Sequence, residues 1–223
     1  CSLLFTSLTA SLHGRVCLVT GANGAIGREI CKALLNHGAT VVAVCRSLEQ
    51  GTALCAALRA ETENGTINFL VANLEDAASV VTLTREFKEE YQTLDILINN
   101  AGLTPSRYPD GTPEDLGKTM FAVNCVAPFL LIRHFAELLS ASEWGGHVLN
   151  VSSNTHHSAT GPWFDDLTGA STGRSLQEIY RHSKLCLNLI SCTAAEKFSG
   201  VRINSLHPGT VFQDRAAEHI PKR

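Results

Sequence analysis

The chain has 223 residues, with 18 lysines and arginines against 21 aspartates and glutamates, a formal charge of -3. That length fits one domain able to bury most of the apolar surface of its unfolded form, and the lack of a dense basic run argues against nucleic acid as a partner. Consecutive apolar residues nowhere reach the length of about 20 that crosses a bilayer, so the residues given are expected to be soluble; they begin at Cys1 rather than Met, which leaves room for an anchor or targeting segment upstream.

Short β-branched runs alternate with longer amphipathic stretches along the sequence. A strand at 16–20 is followed by a helix at 25–37, a strand at 40–45 by a helix at 48–63, and a strand at 67–71 by a helix at 77–91. Then come a strand at 95–99, an interrupted helical stretch at 113–140, a strand at 147–151, an irregular stretch at 154–176, a helix at 177–198 and a strand at 201–206. The strands are almost continuously apolar, as strands covered on both faces are, which points to parallel pairing with the helices as crossovers. The fold class expected is α/β: a doubly wound parallel sheet of the Rossmann type, strand order 3-2-1-4-5-6, in a single domain over 1–223.

Eight cysteines in a small secreted chain would suggest disulfides. Here Cys17, Cys31, Cys45, Cys125, Cys186 and Cys192 are interleaved with core-like positions and no C-x-x-C occurs, so they read as reduced packing residues of an intracellular protein. His182 and Cys186 stand four apart on a helix, yet two further ligands are not evident, and no metal is expected.

Directly after the first strand, Thr20-Gly21-Ala22-Asn23-Gly24-Ala25-Ile26-Gly27 leads into the first helix. Glycines there permit a tight turn and a close approach of backbone to pyrophosphate, and the helix N-terminus favours its negative charge. At the end of the second strand, an NAD-binding site would want a carboxylate for the ribose 2′-hydroxyl. This chain has Cys45-Arg46-Ser47 instead, and the Arg46 guanidinium suits a 2′-phosphate, so NADP(H) is favoured. Arg28, at the start of the helix, is a second cation within range or a solvated surface arginine.

Tyr180 and Lys184, four apart, fall on one helix face. A phenol titrates near 10; an ammonium at about 4 Å, in an effective dielectric of about 20, would attract its anion by about 4 kcal/mol. That pair can move a proton at working pH.

Together with Asn99-Asn100-Ala101-Gly102, Tyr180-x-x-x-Lys184 and Pro208-Gly209, in this order, these motifs resemble the short-chain dehydrogenase/reductase family over nearly the whole chain. Val44-Cys45-Arg46, Asn150-Val151-Ser152-Ser153 and Ser183-Lys184-Leu185 look most like its retinol dehydrogenase branch, with the WW-domain oxidoreductase relatives. The family's loop is usually T-G-x-x-x-G-x-G; here Gly24 and Ala25 give T-G-x-x-G-x-x-G, the spacing of the extended branch of nucleotide-sugar enzymes.

The resemblance implies that Tyr180 exchanges the proton with the substrate oxygen, that Lys184 lowers its pKa and holds the nicotinamide ribose, and that Ser153 bonds the substrate oxygen. Asn124 would support a water-linked proton path. Ser152 is the neighbouring candidate for the serine role. The cofactor would be held by Gly21, Asn23, Gly24, Ala25, Ile26 and Gly27, by Arg46, and by Asn73 and Leu74 after the third strand. Asn100, Ala101, Gly102, Tyr180, Lys184, Pro208, Gly209 and Val211 complete that set. Asn73 stands where an Asp is common, Ala25 adds a methyl near the pyrophosphate, and Gln213 replaces a common Thr or Ser.

In the connection from Ser153 to Tyr180, His156, His157, Trp163, Phe164 and Leu167 could wall an apolar pocket for a lipophilic alcohol, aldehyde or ketone, or merely cover the sheet edge. Family members usually continue past Pro208-Gly209 through a substrate-covering segment and a seventh strand, and the residues given, which stop at Arg223, are expected to be truncated before it. The expectation is an NADP(H)-dependent oxidoreductase in the cytoplasm or on a membrane facing the cytosol, with homo-oligomerisation left open. A dinucleotide-binding regulator without turnover is the second reading, since fold alone does not establish activity; an extended-branch nucleotide-sugar enzyme is the third.

Overall fold

The alternating pattern resolves into one parallel sheet. In a computed structural model describing residues 11–105, 112–169 and 173–209, the strands are β1 (Val16–Thr20), β2 (Thr40–Cys45), β3 (Thr66–Val71), β4 (Ile96–Asn99), β5 (His147–Val151) and β6 (Arg202–Leu206). Their order is β3-β2-β1-β4-β5-β6, every neighbouring pair parallel. The helices are α1 (Ala25–Asn36), α2 (Leu48–Glu61), α3 (Ala77–Glu90), α4 (Pro113–Phe121), α5 (Ala127–Ser140) and α6 (Leu176–Lys197). Boundaries match the sequence expectation to within two residues.

Successive strand residues point to opposite faces, and here both directions are buried. Leu18, Val42, Leu97 and Val148 pack under α3 and α5 with Phe87, Leu131 and Phe135, whose two rings meet edge to face at 5.0 Å. Cys17, Val19, Val41, Ala43 and Ile98 pack on the other side under α1 and α2, with Cys31, Leu35, Leu54 and Leu58. A third, smaller core of Leu103, Met120, Val123, Trp163 and Ile179 lies beyond the C-terminal ends of the strands, against Tyr180.

Six of the cysteines are buried with free thiols, and Cys192 is exposed. Burial pushes the Cys17 and Cys31 thiols up to about 12 and those of Cys45 and Cys186 to about 11, which keeps them protonated packing groups. Cys1 lies outside the described residues.

The interrupted stretch at 113–140 is continuous: α4 and α5 are joined by a π-helical turn, Ala122–Val126. Pro128 has no N–H and cannot give the Asn124 carbonyl its partner four residues on, so the helix widens by one residue. The helical run Glu114–Ser140 is long and apolar enough to cross a membrane, but half of its most apolar window is buried within the fold. Its apolar side is spent on α3, α6 and the sheet.

Candidate active site

Parallel strands all end at one edge, and the loops leaving β1, β2, β3, β4 and β5 there surround a cleft of 1190 Å³. This exceeds the roughly 300–1,000 Å³ usual for one small molecule and suits an extended ligand with a second one beside it. Gly21, Asn23, Gly24, Ala25, Ile26 and Gly27 form one wall; Arg46, Asn73 and Leu74 close one end. Asn100, Ala101, Gly102, Tyr180, Lys184 and Pro208 line the other side.

The glycine loop is built by exclusion. Gly21 sits at φ +63°, and a Cβ on it would stand 2.8 Å from Ala101 Cα. A Cβ on Gly27 would stand 2.2 Å from the Gly21 carbonyl oxygen. Asn100 locks the loop to the sheet: its Nδ2 donates to the Thr20 and Gly21 carbonyls at 3.0 and 3.1 Å, while Thr20 Oγ1 accepts from the Asn100 and Ala101 amides at 3.1 and 3.0 Å. Asn100 therefore shapes the cradle as well as lining it. Cys45 Sγ donates to Asn23 Oδ1 at 2.9 Å, tying the loop to the end of β2. Sequence reasoning gave neither Cys45 nor Thr20 a role, although each abuts a residue it singled out.

Helices α2, α3, α4 and α6 begin on side-chain caps from Ser47, Asp76, Thr112 and Ser175, whereas α1 begins at Gly24 with no side-chain cap. Its first amides and its dipole are thus left for a ligand anion. Ala25 occupies the first helical position without positive φ, and its exposed methyl disturbs no packing. Arg46 is exposed at the cleft, and among the described residues no ion pair engages it. Arg28 does not join it: its guanidinium pairs with Glu61 of α2 at 2.6 Å, and Lys32 joins the same carboxylate at 3.0 Å. Asn73 is exposed and its Oδ1 accepts from the Glu75 amide at 3.1 Å, a local turn.

Tyr180 and Lys184 stand one turn apart on α6, which starts on a capping box between Ser175 and Glu178. The expectation that Lys184 depresses the Tyr180 pKa is not met in this structure. The Lys184 ammonium is 6.0 Å from the Tyr180 ring centroid and donates instead to the Val151 carbonyl at 2.9 Å. Burial raises the Tyr180 pKa, and the nearby Ser153 side chain opposes the rise. Lys184, 4% exposed, is itself pushed down to about 8 by desolvation. Gly102 makes room for this arrangement: a Cβ there would lie 3.2 Å from Lys184 Nζ and 3.5 Å from Asn124 Oδ1.

Asn124 and Ser153 stand behind these groups. The Asn124 side chain is fully buried in the π turn; its Oδ1 accepts from the Leu103 amide at 2.8 Å, and its Nδ2 donates to the Leu103 carbonyl at 3.1 Å and to Ser183 Oγ at 2.9 Å. Ser183 Oγ in turn donates to the Tyr180 carbonyl at 2.8 Å. Ser152 lines the cleft but is buried and spends its hydroxyl on the Lys184 carbonyl at 3.3 Å, whereas Ser153, outside the cleft lining, is the serine that acts on the Tyr180 pKa. Gly209 follows Pro208 at φ +76° without lining the cleft, and Val211 and Gln213 lie outside the described residues.

The aromatic segment is arranged otherwise than as a pocket wall. Trp163 is buried, stacked on His182 at 4.2 Å with the Arg174 guanidinium over its ring at 3.7 Å. Phe164 is 79% exposed and Leu167 41% exposed, and neither reaches the cleft. The apolar lining comes instead from Leu103 and Val123. Each stands next in sequence to a residue already singled out, Leu103 after Gly102 and Val123 before Asn124, but only the fold shows that their side chains face the cleft. His156 and His157 stack on each other at 4.0 Å, and His182 Nε2 meets Cys186 Sγ at 3.4 Å and the Leu167 carbonyl at 3.1 Å. Among the described residues no group of three His, Cys, Asp or Glu could hold a metal.

Comparison with known proteins agrees with this geometry. The family described as short chain dehydrogenase matches residues 15–164. Human retinol dehydrogenase 13 is 33% identical over 202 residues, 90% of this chain and 60% of that protein. Human retinol dehydrogenase 11 is 35% identical over 208 residues, 91% of this chain and 63% of that protein. The chain thus spans about three-fifths of the length of these curated relatives. Among solved structures, a metagenomic short-chain oxidoreductase in complex with NADP superposes with a TM-score of 0.72 at 28% identity, over 91% of this chain and 84% of that one. A Pseudomonas aeruginosa RhlG/NADP active-site complex gives 0.74 at 28% identity, over 94% and 76%.

Proposed function

Because the chain belongs to the short-chain dehydrogenase family, we propose that it is an NADP(H)-dependent oxidoreductase that interconverts an alcohol and a carbonyl compound, with Tyr180 as the proton donor and acceptor. The observation that carries this reading is the meeting, at one cleft, of a glycine-rich helix start without a side-chain cap, an exposed Arg46 that no ion pair engages among the described residues, and the Tyr180–Lys184 pair.

The donor set fits the cofactor. Gly21 and Gly27 let the loop backbone pack against Ala101 and against itself where any Cβ would clash, the first amides of α1 suit a pyrophosphate, and Arg46 suits a 2′-phosphate, with Asn73 and Leu74 at the same end. NADP(H), when bound, supplies or accepts the hydride at the substrate carbon. The protein handles the proton. During reduction the Tyr180 O–H bond breaks as the new O–H bond of the alcohol forms, and the reverse holds in oxidation. Ser153 bonds the reacting oxygen. Lys184 would hold the ribose of a bound cofactor, and its charge, brought near Tyr180, would favour the phenolate. Asn124 holds the turn of α6 between them through Ser183.

Leu103 and Val123 give the substrate side an apolar wall, which, with relatives named retinol dehydrogenase, favours a lipophilic, retinoid-like or steroid-like substrate. The single polypeptide over 1–223 acts as one such domain. The test mixes purified protein with NADPH and a panel of retinal, steroid ketones and small aldehydes. Turnover on a lipophilic member, lost about 100-fold or more in Tyr180→Phe while NADPH still binds, is the expected result. Turnover preserved in Tyr180→Phe overturns the mechanism, and NADPH binding without any turnover favours a regulator.

A further inference from the structure

We propose that Thr155 is a positioning residue that sets the direction of the Ser153 hydroxyl, so that Ser153 donates toward Tyr180 and the reacting oxygen when Tyr180 is deprotonated. The inference rests on the reading that Tyr180 exchanges the proton. Ser153, two residues beyond β5, is in extended conformation and caps the 3-10 turn Asn154–Ser158. Its Oγ meets the Thr155 amide at 3.3 Å and Thr155 Oγ1 at 2.9 Å, and the same side chain acts to lower the Tyr180 pKa.

A hydroxyl offers one hydrogen and two lone pairs. The Thr155 amide can only donate, which fills one lone pair of Ser153. When the Thr155 hydroxyl donates as well, the second lone pair is filled, and the Ser153 hydrogen is directed to Tyr180 or to the oxygen beside it. Donation into Ser153 also polarises its O–H bond and makes it the stronger donor. When Tyr180 carries its proton and donates to Ser153, the Ser153–Thr155 bond reverses: Ser153 donates to Thr155 Oγ1, and both lone pairs and the hydrogen of Ser153 are again used. Two hydroxyl rotations accomplish the change, and no proton leaves either oxygen. With an apolar side chain at 155, Ser153 would keep an empty lone pair in one state and an unpaired hydrogen in the other.

Thr155→Val keeps the shape and the amide while removing the hydroxyl; Thr155→Ser restores it. The first measurement needs neither cofactor nor substrate. The full chain is labelled at the tyrosine ring carbon bearing oxygen, and the Tyr180 signal, assigned by its loss in Tyr180→Phe, is followed against pH by NMR. Tyr180 is expected to titrate at higher pH in Thr155→Val than in the parent, and Thr155→Ser to bring it back. Second, kcat for carbonyl reduction with NADPH is expected to fall about three- to tenfold in Thr155→Val, the loss of one hydrogen bond of ordinary strength. KM should stay nearly unchanged, and the pH profile should move in the same direction as the NMR titration. An unmoved Tyr180 titration in Thr155→Val, or a Thr155→Ser variant that behaves like the valine, overturns the proposal. If the parent does not turn over, or if Tyr180→Phe does, it is the catalytic reading that fails, and the titration still decides the role of Thr155.

Discussion

Replacing Lys184 by methionine should stabilise the cofactor-free protein while it abolishes turnover, and the stabilisation should fade as the pH rises. The Lys184 pKa falls from 10.5 to about 8 on burial, so below pH 8 folding must bury a charged ammonium at a cost of about 3 kcal/mol. Between pH 8 and 10.5 the unfolded chain binds more protons than the folded one, so stability rises with pH there and the cost shrinks to about 1 kcal/mol at pH 9.5. Methionine carries no such cost at any pH. It does forfeit the bond to the Val151 carbonyl, worth about 1 kcal/mol or more, and that loss does not vary with pH. Urea unfolding of parent and variant at pH 7 and 9.5 measures the difference, and groups common to both chains cancel. The advantage of the variant should drop by about 2 kcal/mol between the two pH values. An advantage that is the same at both would refute the claim that Lys184 is held against its own desolvation.

Further expectations concern the cofactor end and the small third core. Arg46→Asp should weaken NADPH binding about 10- to 100-fold, the worth of a charge-assisted contact, with little effect on NADH, whereas Arg28→Ala should leave both affinities unchanged in a fluorescence titration because Arg28 is spent on Glu61. Gly27→Ala pushes a methyl to 2.2 Å from the Gly21 carbonyl; it should cost about 1–3 kcal/mol of stability and remove cofactor binding, and unaltered NADPH affinity would show that the loop is not the cradle. Trp163→Ala should cost about 3–5 kcal/mol in chemical denaturation, because Trp163 fills the core between His182 and Arg174. Phe164→Ala, at a side chain 79% exposed, should change stability by less than about 0.5 kcal/mol, and a loss of turnover there would restore Phe164 to the substrate wall.

The strands, their order and the glycine loop were legible in the sequence because each rests on local chemistry. Period and composition say which segments are buried on both faces; right-handed crossovers then leave a few doubly wound orders, of which 3-2-1-4-5-6 goes with the glycine-rich dinucleotide loop. Gly21 and Gly27 follow from a turn that no Cβ fits, and Tyr180 and Lys184 share a helix face by spacing alone. What required the tertiary structure were contacts made across the chain. Glu61 claims Arg28, Val151 holds the Lys184 ammonium, and Trp163 turns inward onto His182 while its neighbour Phe164 faces water. The sequence could count the charges and aromatic rings, but which partner each one meets depends on distances that only packing sets. A pKa depends on the same distances, which is why Lys184, four residues from Tyr180 but bonded to the Val151 carbonyl, does not lower the tyrosine's pKa in this structure.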